Sequence, residues 1–107
     1  MQEKSCGMIL FDRLKNPTQV LLIKHNAGHW SFPKGHCEKD ETEIETALRE
    51  TKEETGIKGM VINKSLRYTS HYTLSNGNTK EVVFFVGLQV SGVLTPQMSE
   101  VKQVTWI

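Results

Sequence analysis

Residues 40–57 read DETEIETALRETKEETGI and predict one amphipathic helix. Two pairs in this stretch fit a capping box, in which a polar residue is followed three positions later by Glu, namely Asp40 with Glu43 and Thr42 with Glu45. Gly56 is typical of the position just after a helix end, so we expect the helix to run to about Thr55. The buried stripe has the spacing i, i+3, i+4, i+7 and consists of Ile44, Ala47, Leu48 and Thr51.

The same part of the chain concentrates the acidic residues. Between Glu38 and Glu54 lie eight acids and three bases, or −5, which leaves ten bases against four acids, or +6, elsewhere. The whole chain of 107 residues therefore has a formal net charge of only +1. This balance argues against a general nucleic-acid binder and against a polybasic membrane binder.

Length and composition indicate an ordinary globular protein with one domain over residues 1–107. No apolar run approaches the ~18 residues of a membrane span, and the N-terminus lacks the apolar region of a signal peptide, so we expect a cytoplasmic location. The two cysteines, Cys6 and Cys37, are too few for a disulfide framework and lack the spacing of a zinc site. We interpret them as small buried or half-buried thiols.

The rest of the chain is predicted to be mostly β-structure. Strands are expected at residues 5–11, 18–24, 60–74, 79–90 and 101–107. Lys15-Asn16-Pro17 and Ser75-Asn76-Gly77-Asn78 are turn signals, and residues 25–40, rich in Gly, His, Pro and Lys, are expected to form a loop.

The order β-β-α-β-β-β indicates an α/β or α+β sandwich, a mixed sheet with the helix packed on it. A second helix normally covers the other face of such a sheet, and none is predicted in this chain. Whether the domain is truncated at its C-terminus therefore stays open at this point.

Three carboxylates near the end of the helix suggest a metal site. Glu50, Glu53 and Glu54 fall within roughly 100° of arc beside the apolar stripe. They repel one another and lie where the helix macrodipole disfavours negative charge. Mg²⁺ would remove both costs, because it takes carboxylate oxygens and completes its shell with water and phosphate. The alternative is a solvated acidic face in which Arg49 pairs with Glu45 or Glu53.

The segment before the helix supports the metal interpretation. Phe32-Pro33-Lys34-Gly35-His36 would bring a cation, an imidazole and a bare glycine carbonyl to the approach of the helix. Lys34 suits a phosphate as a point charge, and Gly35 lets the backbone come close to a ligand or metal. The alternative is an ordinary turn with an exposed lysine.

Residues 35–57, GHCEKDETEIETALRETKEETGI, resemble the Nudix box G-x5-E-x7-R-E-U-x-E-E-x-G-U, where U is apolar. The residues in register are Gly35, Glu41, Arg49, Glu50, Glu53, Glu54, Gly56 and Ile57. Thr51 stands where an aliphatic residue is usual, which predicts a small packing cost. The strand order also suits the Nudix fold.

The resemblance implies hydrolysis of a nucleoside diphosphate linked to another group, with water attacking phosphorus. The implied cofactor is Mg²⁺, with Mn²⁺ as the alternative, in two or more ions. The implied metal ligands are the Gly35 carbonyl, Glu50, Glu53 and Glu54. Arg49 and Glu41 would orient these carboxylates, and the general base would be Glu50 or Glu53.

Residues around the box are similar to the asymmetrical diadenosine tetraphosphate hydrolases, and Thr51 itself occurs in that subgroup. The similarity lies in Ser5-Cys6-Gly7, residues 29–36, residues 46–51, and Ser99-Glu100 before Trp106. It implies cleavage of diadenosine tetraphosphate to ATP and AMP.

The same resemblance implies the substrate contacts. Tyr72 would stack on adenine, with Tyr68 as its competitor, and His36 would help to hold the loop or the phosphate. Glu100 matches a downstream Glu that joins the metal site. The implied phosphate contacts are His29, Lys34 and Lys80.

Two other functions stay open. One is a Nudix hydrolase of another substrate, such as a noncanonical nucleoside triphosphate, an RNA 5′ end or a diphosphoinositol polyphosphate. The other is a nucleotide-sensing module without turnover, against which the intact carboxylates argue. The expected partner is a small nucleotide, and the oligomeric state is not indicated. His25 and His71 receive no role, and Trp30 and Trp106 are interpreted as packing residues.

Overall fold

The computed structural model describes residues 2–12, 17–25, 28–57, 59–91 and 101–107. This part of the chain forms seven strands and one helix. In chain order they are β1 (Gln2–Asp12), β2 (Gln19–His25), β3 (Trp30–Ser31), β4 (Lys34–His36), α1 (Glu43–Thr55), β5 (Gly59–Thr73), β6 (Thr79–Ser91) and β7 (Val101–Trp106). No helix in the described ranges is long and apolar enough to cross a membrane.

The strands form one mixed sheet. Its order is β3-β2-β1-β6-β5, with β4 paired to β1 and β7 paired to β2. β1 and β6 run parallel, whereas the other pairs are antiparallel. The predicted mixed sheet with a packed helix is therefore confirmed.

The prediction of a loop over residues 25–40 is partly wrong, because β3 and β4 lie within this segment. These strands have two and three residues, too few for an alternating pattern to show in the sequence. Their hydrogen-bonding partners come from β2 and β1. Pairing with β2, the preceding strand, and with the distant β1, rather than local propensity, makes this segment extended.

Of the two predicted capping boxes, the one formed by Thr42 and Glu45 begins α1. The Thr42 hydroxyl accepts the Glu45 N–H at 3.1 Å, and the Glu45 carboxylate accepts the Thr42 N–H at 2.8 Å. At the other end, Gly56 adopts the left-handed conformation with φ 83°, and its N–H donates to the Lys52 carbonyl. Both ends of the helix were therefore visible in the sequence.

The core lies between α1 and the sheet. Its buried members are Cys6, Met8, Leu10, Leu21, Ala47, Ile57, Val83 and Phe85, with Ile44, Leu48 and Trp106 packed against them. Thr51 is also buried, and its hydroxyl donates to the Ala47 carbonyl at 2.7 Å. This bond satisfies a polar group in the core, which explains how a threonine fits where an aliphatic residue is usual.

Candidate active site

Arg49 gathers the carboxylates of the Nudix-like segment. Its Nε and Nη2 donate to the two oxygens of Glu41 at 2.7 and 3.0 Å. Its Nη1 donates to Glu50 at 2.8 Å and to Glu53 at 3.3 Å, and lies 3.8 Å from Glu38. We call Arg49 and these four carboxylates the Arg49 cluster.

Glu41 is the fixed anchor of this cluster. Besides Arg49, it accepts the Thr46 hydroxyl at 2.8 Å and the Glu38 N–H at 3.1 Å. Hydrogen bonding to Arg49 lowers the pKa of Glu41 to about 2, and in return raises the pKa of Arg49. Glu41 therefore stays ionised and holds the guanidinium in place through two hydrogen bonds.

Of the two alternative partners predicted for Arg49, the structure shows one in contact with it. Glu45, one of its two predicted partners, is held instead by the helix cap. The other predicted partner, Glu53, does contact Arg49. The Glu45 carboxylate instead accepts the Thr42 N–H, three positions earlier in the chain.

β4 lies directly against the carboxylates of α1. The Lys34 N–H donates to Glu54 at 2.9 Å, and the Glu54 side chain is buried. A Cβ added at Gly35 would collide with the Glu50 carboxyl group. Because glycine has no side chain, the β4 backbone can lie this close to the carboxylates of Glu50 and Glu54.

The donor set of this region suits a hard divalent cation. In the described part of the chain, no three His, Cys, Asp or Glu side chains form a preformed metal site. Glu50 and Glu53 are turned toward Arg49, and Glu54 toward the Lys34 N–H. Their oxygens nevertheless lie on adjacent turns of one helix and are ligands that Mg²⁺ prefers. Glu100 lies outside the described residues.

A basic group lies next to the Arg49 cluster. The Lys80 ammonium donates to His36 Nε2 at 3.1 Å, while the His36 carbonyl accepts from Arg49 at 3.0 Å. Burial, followed by the charge of Lys80, lowers the pKa of Lys34. Tyr72 lies directly opposite Lys80 in the β5–β6 pairing, and its side chain is exposed. Four of the predicted substrate residues therefore lie near one another, namely Lys34, His36, Tyr72 and Lys80.

The structure places the remaining predicted residues elsewhere. His29 stacks on His25, with ring centroids 4.3 Å apart. Tyr68 is exposed on β5, opposite Phe84. The packing interpretation of Trp30 is wrong, since its side chain is 44% exposed and only the Lys24 ammonium lies over its ring among the contacts described.

Two residues important to the site were given no role in the sequence analysis, although both lie in stretches that resemble the diadenosine tetraphosphate hydrolases. Thr46 is buried and supports Glu41 through its hydroxyl. Gly7 lets β4 approach β1, because an added Cβ would collide with the Pro33 carbonyl. A glycine inside an apolar strand is a known signal of close backbone approach, whereas helical spacing gives no sign that the Thr46 hydroxyl contacts Glu41.

Comparisons with known proteins identify the family. The model of the NUDIX domain family matches residues 1–107. The mouse protein named bis(5′-nucleosyl)-tetraphosphatase [asymmetrical] is 36% identical over 96 residues, which cover 80% of this chain and 65% of the mouse protein. The pig protein of the same name is 43% identical over 65 residues, covering 53% of this chain and 44% of the pig protein.

A solved structure is also similar over most of the chain. The structure of a C. elegans Ap4A hydrolase binary complex has a TM-score of 0.87 at 27% identity, over 97% of this chain and 78% of that one. The chain spans just under two thirds of the mouse relative's length. Because the family model covers the chain from end to end, this protein belongs to the Nudix family.

Proposed function

We propose that this protein is a metal-dependent pyrophosphohydrolase that cleaves dinucleoside polyphosphates, preferably diadenosine tetraphosphate, to ATP and AMP. One observation carries the proposal: His36 joins the acidic Arg49 cluster to the basic Lys80, through its carbonyl and its ring respectively. A polyphosphate with its cations needs both kinds of surface side by side. The similarity to asymmetrical tetraphosphatases supports the choice of substrate.

The proposed ion is Mg²⁺, with Mn²⁺ as the alternative, in two or more copies. Its proposed ligands are the Gly35 carbonyl, Glu50, Glu53, Glu54 and Glu100. When bound, such ions polarise phosphoryl oxygens and lower the pKa of coordinated water.

The chain's own residues prepare the attack. Arg49 holds the carboxylates of Glu50 and Glu53 in one place, and Glu41 holds Arg49. We assign the general base to Glu50 or Glu53, either of which would accept the proton of the attacking water on a carboxylate oxygen.

On the substrate side, Lys34, Lys80 and His29 are proposed to contact the phosphates. Lys34 and Lys80 are close enough for the charge of one to lower the pKa of the other. A polyanion between them would relieve this repulsion and would favour the charged form of Lys34. Tyr72, exposed opposite Lys80, is proposed to stack on an adenine base.

A substrate panel with Mg²⁺ and chromatography of the products tests the proposal. The panel contains diadenosine tetraphosphate, an oxidised nucleoside triphosphate, a capped RNA and a diphosphoinositol polyphosphate. We expect the fastest turnover of diadenosine tetraphosphate, with ATP and AMP in equal amounts. Formation of ADP alone, or faster turnover of another compound, would contradict the proposed specificity. Tight binding of a nucleotide with no product would support the sensing module instead.

A further inference from the structure

Two thiols that are distant in the sequence meet beside the candidate site. The Sγ atoms of Cys6 and Cys37 lie 3.1 Å apart across 31 positions of the chain, and both residues are free thiols. Cys6 is fully buried in the core, whereas Cys37 is half-buried. A buried thiol in contact with a more accessible one is the arrangement of a resolving and an attacking cysteine.

The backbone around both thiols is held by the sheet. Cys6 pairs with Gly35 in the β1–β4 register, and the Cys37 N–H donates to the Lys4 carbonyl at 3.2 Å. A disulfide has an S–S distance of about 2.05 Å, so the two sulfur atoms need to approach each other by only about 1 Å. Side-chain rotation together with a small shift of the backbone at the end of β4 can supply a movement of this size, while the rest of the β1–β4 pairing is kept.

We propose that Cys6 and Cys37 form a reversible disulfide with hydrogen peroxide as the oxidant. The Cys37 sulfur attacks one peroxide oxygen, the O–O bond breaks, and the thiol proton leaves with the released oxygen as water. The Cys6 sulfur then displaces the hydroxyl group from this sulfenic acid, and the Cys6 proton leaves with it as a second water. Two thiols are thus oxidised by two electrons, and one peroxide is reduced to two waters. A small dithiol reverses the bond.

The bond would act on the candidate site through His36, the residue before Cys37. His36 contacts Arg49 through its carbonyl and Lys80 through its ring. Drawing the Cys37 side chain into the core moves this end of β4 and loosens both contacts. We therefore expect a lower kcat in the oxidised protein. This consequence rests on the proposed hydrolase activity, whereas formation of the bond does not.

Intact-mass measurement and thiol titration test the bond itself. After peroxide treatment, the protein should lose two hydrogen atoms in mass and both titratable thiols, as a monomer, and dithiothreitol should restore both. The Cys37→Ser variant, which lacks the more exposed thiol, should lose neither two hydrogen atoms in mass nor its remaining thiol. Cys6→Ala serves as the second control. Retention of both thiols, addition of oxygen to Cys37 without a cross-link, or linkage between two chains would overturn the proposal.

Thermal unfolding gives a readout that does not depend on activity. A cross-link across 31 positions restricts the unfolded chain, so the Tm of the oxidised protein should rise by roughly 5–15 °C. A lower Tm after oxidation would show that the bond does not fit the native fold. If the protein hydrolyses no nucleotide, mass and Tm still test the bond. If it does, equal kcat values for the reduced and oxidised forms would overturn the effect on the site.

Discussion

Two arginine–carboxylate clusters join α1 to the rest of the fold, and they differ in charge balance. In the Arg49 cluster, the ion pairs described join one guanidinium to four carboxylates. The cluster connects the later turns of α1 with the segment that follows β4. Among the three carboxylates that accept hydrogen bonds from Arg49, Glu53 is the most exposed, with 49% of its side chain accessible to solvent.

The second cluster, which we call the Arg67 cluster, consists of Lys4, Glu43, Arg67, His71 and Glu81. Arg67 and Lys4 both pair with Glu43, and Glu81 contacts Lys4 and His71. Two permanent cations therefore meet two carboxylates. This cluster connects the first turn of α1 with β1, β5 and β6, and its permanent positive and negative charges are equal in number.

This contrast indicates where a ligand would bind. A balanced cluster gains little from another ion, whereas four carboxylates around one guanidinium repel one another and favour a further cation. We therefore expect function to depend on the Arg49 cluster and stability to depend on the Arg67 cluster. Matched substitutions in the two clusters test this division.

The largest effect is expected from Glu53→Gln. This change keeps the shape of the side chain but removes a negative charge that we assign to metal binding or to the general base. We expect kcat for diadenosine tetraphosphate to fall roughly 10²–10⁴-fold. Because this side chain is half exposed, the circular dichroism spectrum should not change. Glu43→Gln, the matched change in the Arg67 cluster, should keep kcat within about threefold. Equal losses in both variants would contradict the division.

The next effect is expected from Arg49→Lys. A lysine keeps the charge but cannot hold Glu41 through two bonds and reach Glu50 as well. Since Arg49 positions groups rather than touching phosphorus, we expect kcat to fall about 10–100-fold with a smaller change in KM. Arg67→Lys is the control, and we expect it to lower only the free energy of unfolding, by under about 1 kcal/mol. A change in KM alone for Arg49→Lys would show that Arg49 binds substrate directly.

Much of the fold was accessible from the sequence because its signals are local. The span of α1 follows from capping and from periodicity, and both are written in neighbouring residues. β3 and β4 were missed because each is only two or three residues long and is extended through pairing, β3 with the preceding β2 and β4 with the distant β1. The mixed sheet could be predicted, but its register could not.

The same distinction applies to the site. Glu50, Glu53 and Glu54 could be predicted because helical spacing places them together. The contact between Cys6 and Cys37 could not, because it depends on how β1 pairs with β4. The support of Glu41 by Thr46 likewise depends on where the loop before α1 folds back. The relative positions of residues were therefore predictable where one helix sets the geometry and not where two segments meet, while the metal-binding role of the three glutamates stays a proposal.

A third pair of variants uses two neighbours on β5, one near the Arg49 cluster and one in the Arg67 cluster. Tyr72 lies opposite Lys80, next to the Arg49 cluster, whereas His71 contacts Glu81 of the Arg67 cluster at 2.9 Å. If Tyr72 stacks on adenine, Tyr72→Ala should raise KM for diadenosine tetraphosphate roughly tenfold with little change in kcat. His71→Ala should leave KM unchanged. An unchanged KM for Tyr72→Ala, with a raised KM for Tyr68→Ala, would move the stacking role to Tyr68.

The smallest effect concerns the pH dependence of stability. Hydrogen bonding to Arg67, followed by that to Lys4, lowers the pKa of Glu43 from 4.5 to about 2. The unfolded chain therefore binds the proton more readily than the folded one. Stability from Glu43 is fully present above about pH 4.5 and is lost as the pH falls toward about 2.

Comparison of the native protein with Glu43→Gln isolates this contribution from that of other carboxylates. Both cationic partners are partly exposed, at 39% for Lys4 and 42% for Arg67, so solvent screens the pairs. We expect urea unfolding to give a difference of about 1 kcal/mol at neutral pH, which shrinks toward zero as the pH falls through the acid range. High salt should reduce the difference at neutral pH as well. A difference independent of pH would mean that Glu43 acts through packing, and the Arg67 cluster would then lose its electrostatic role.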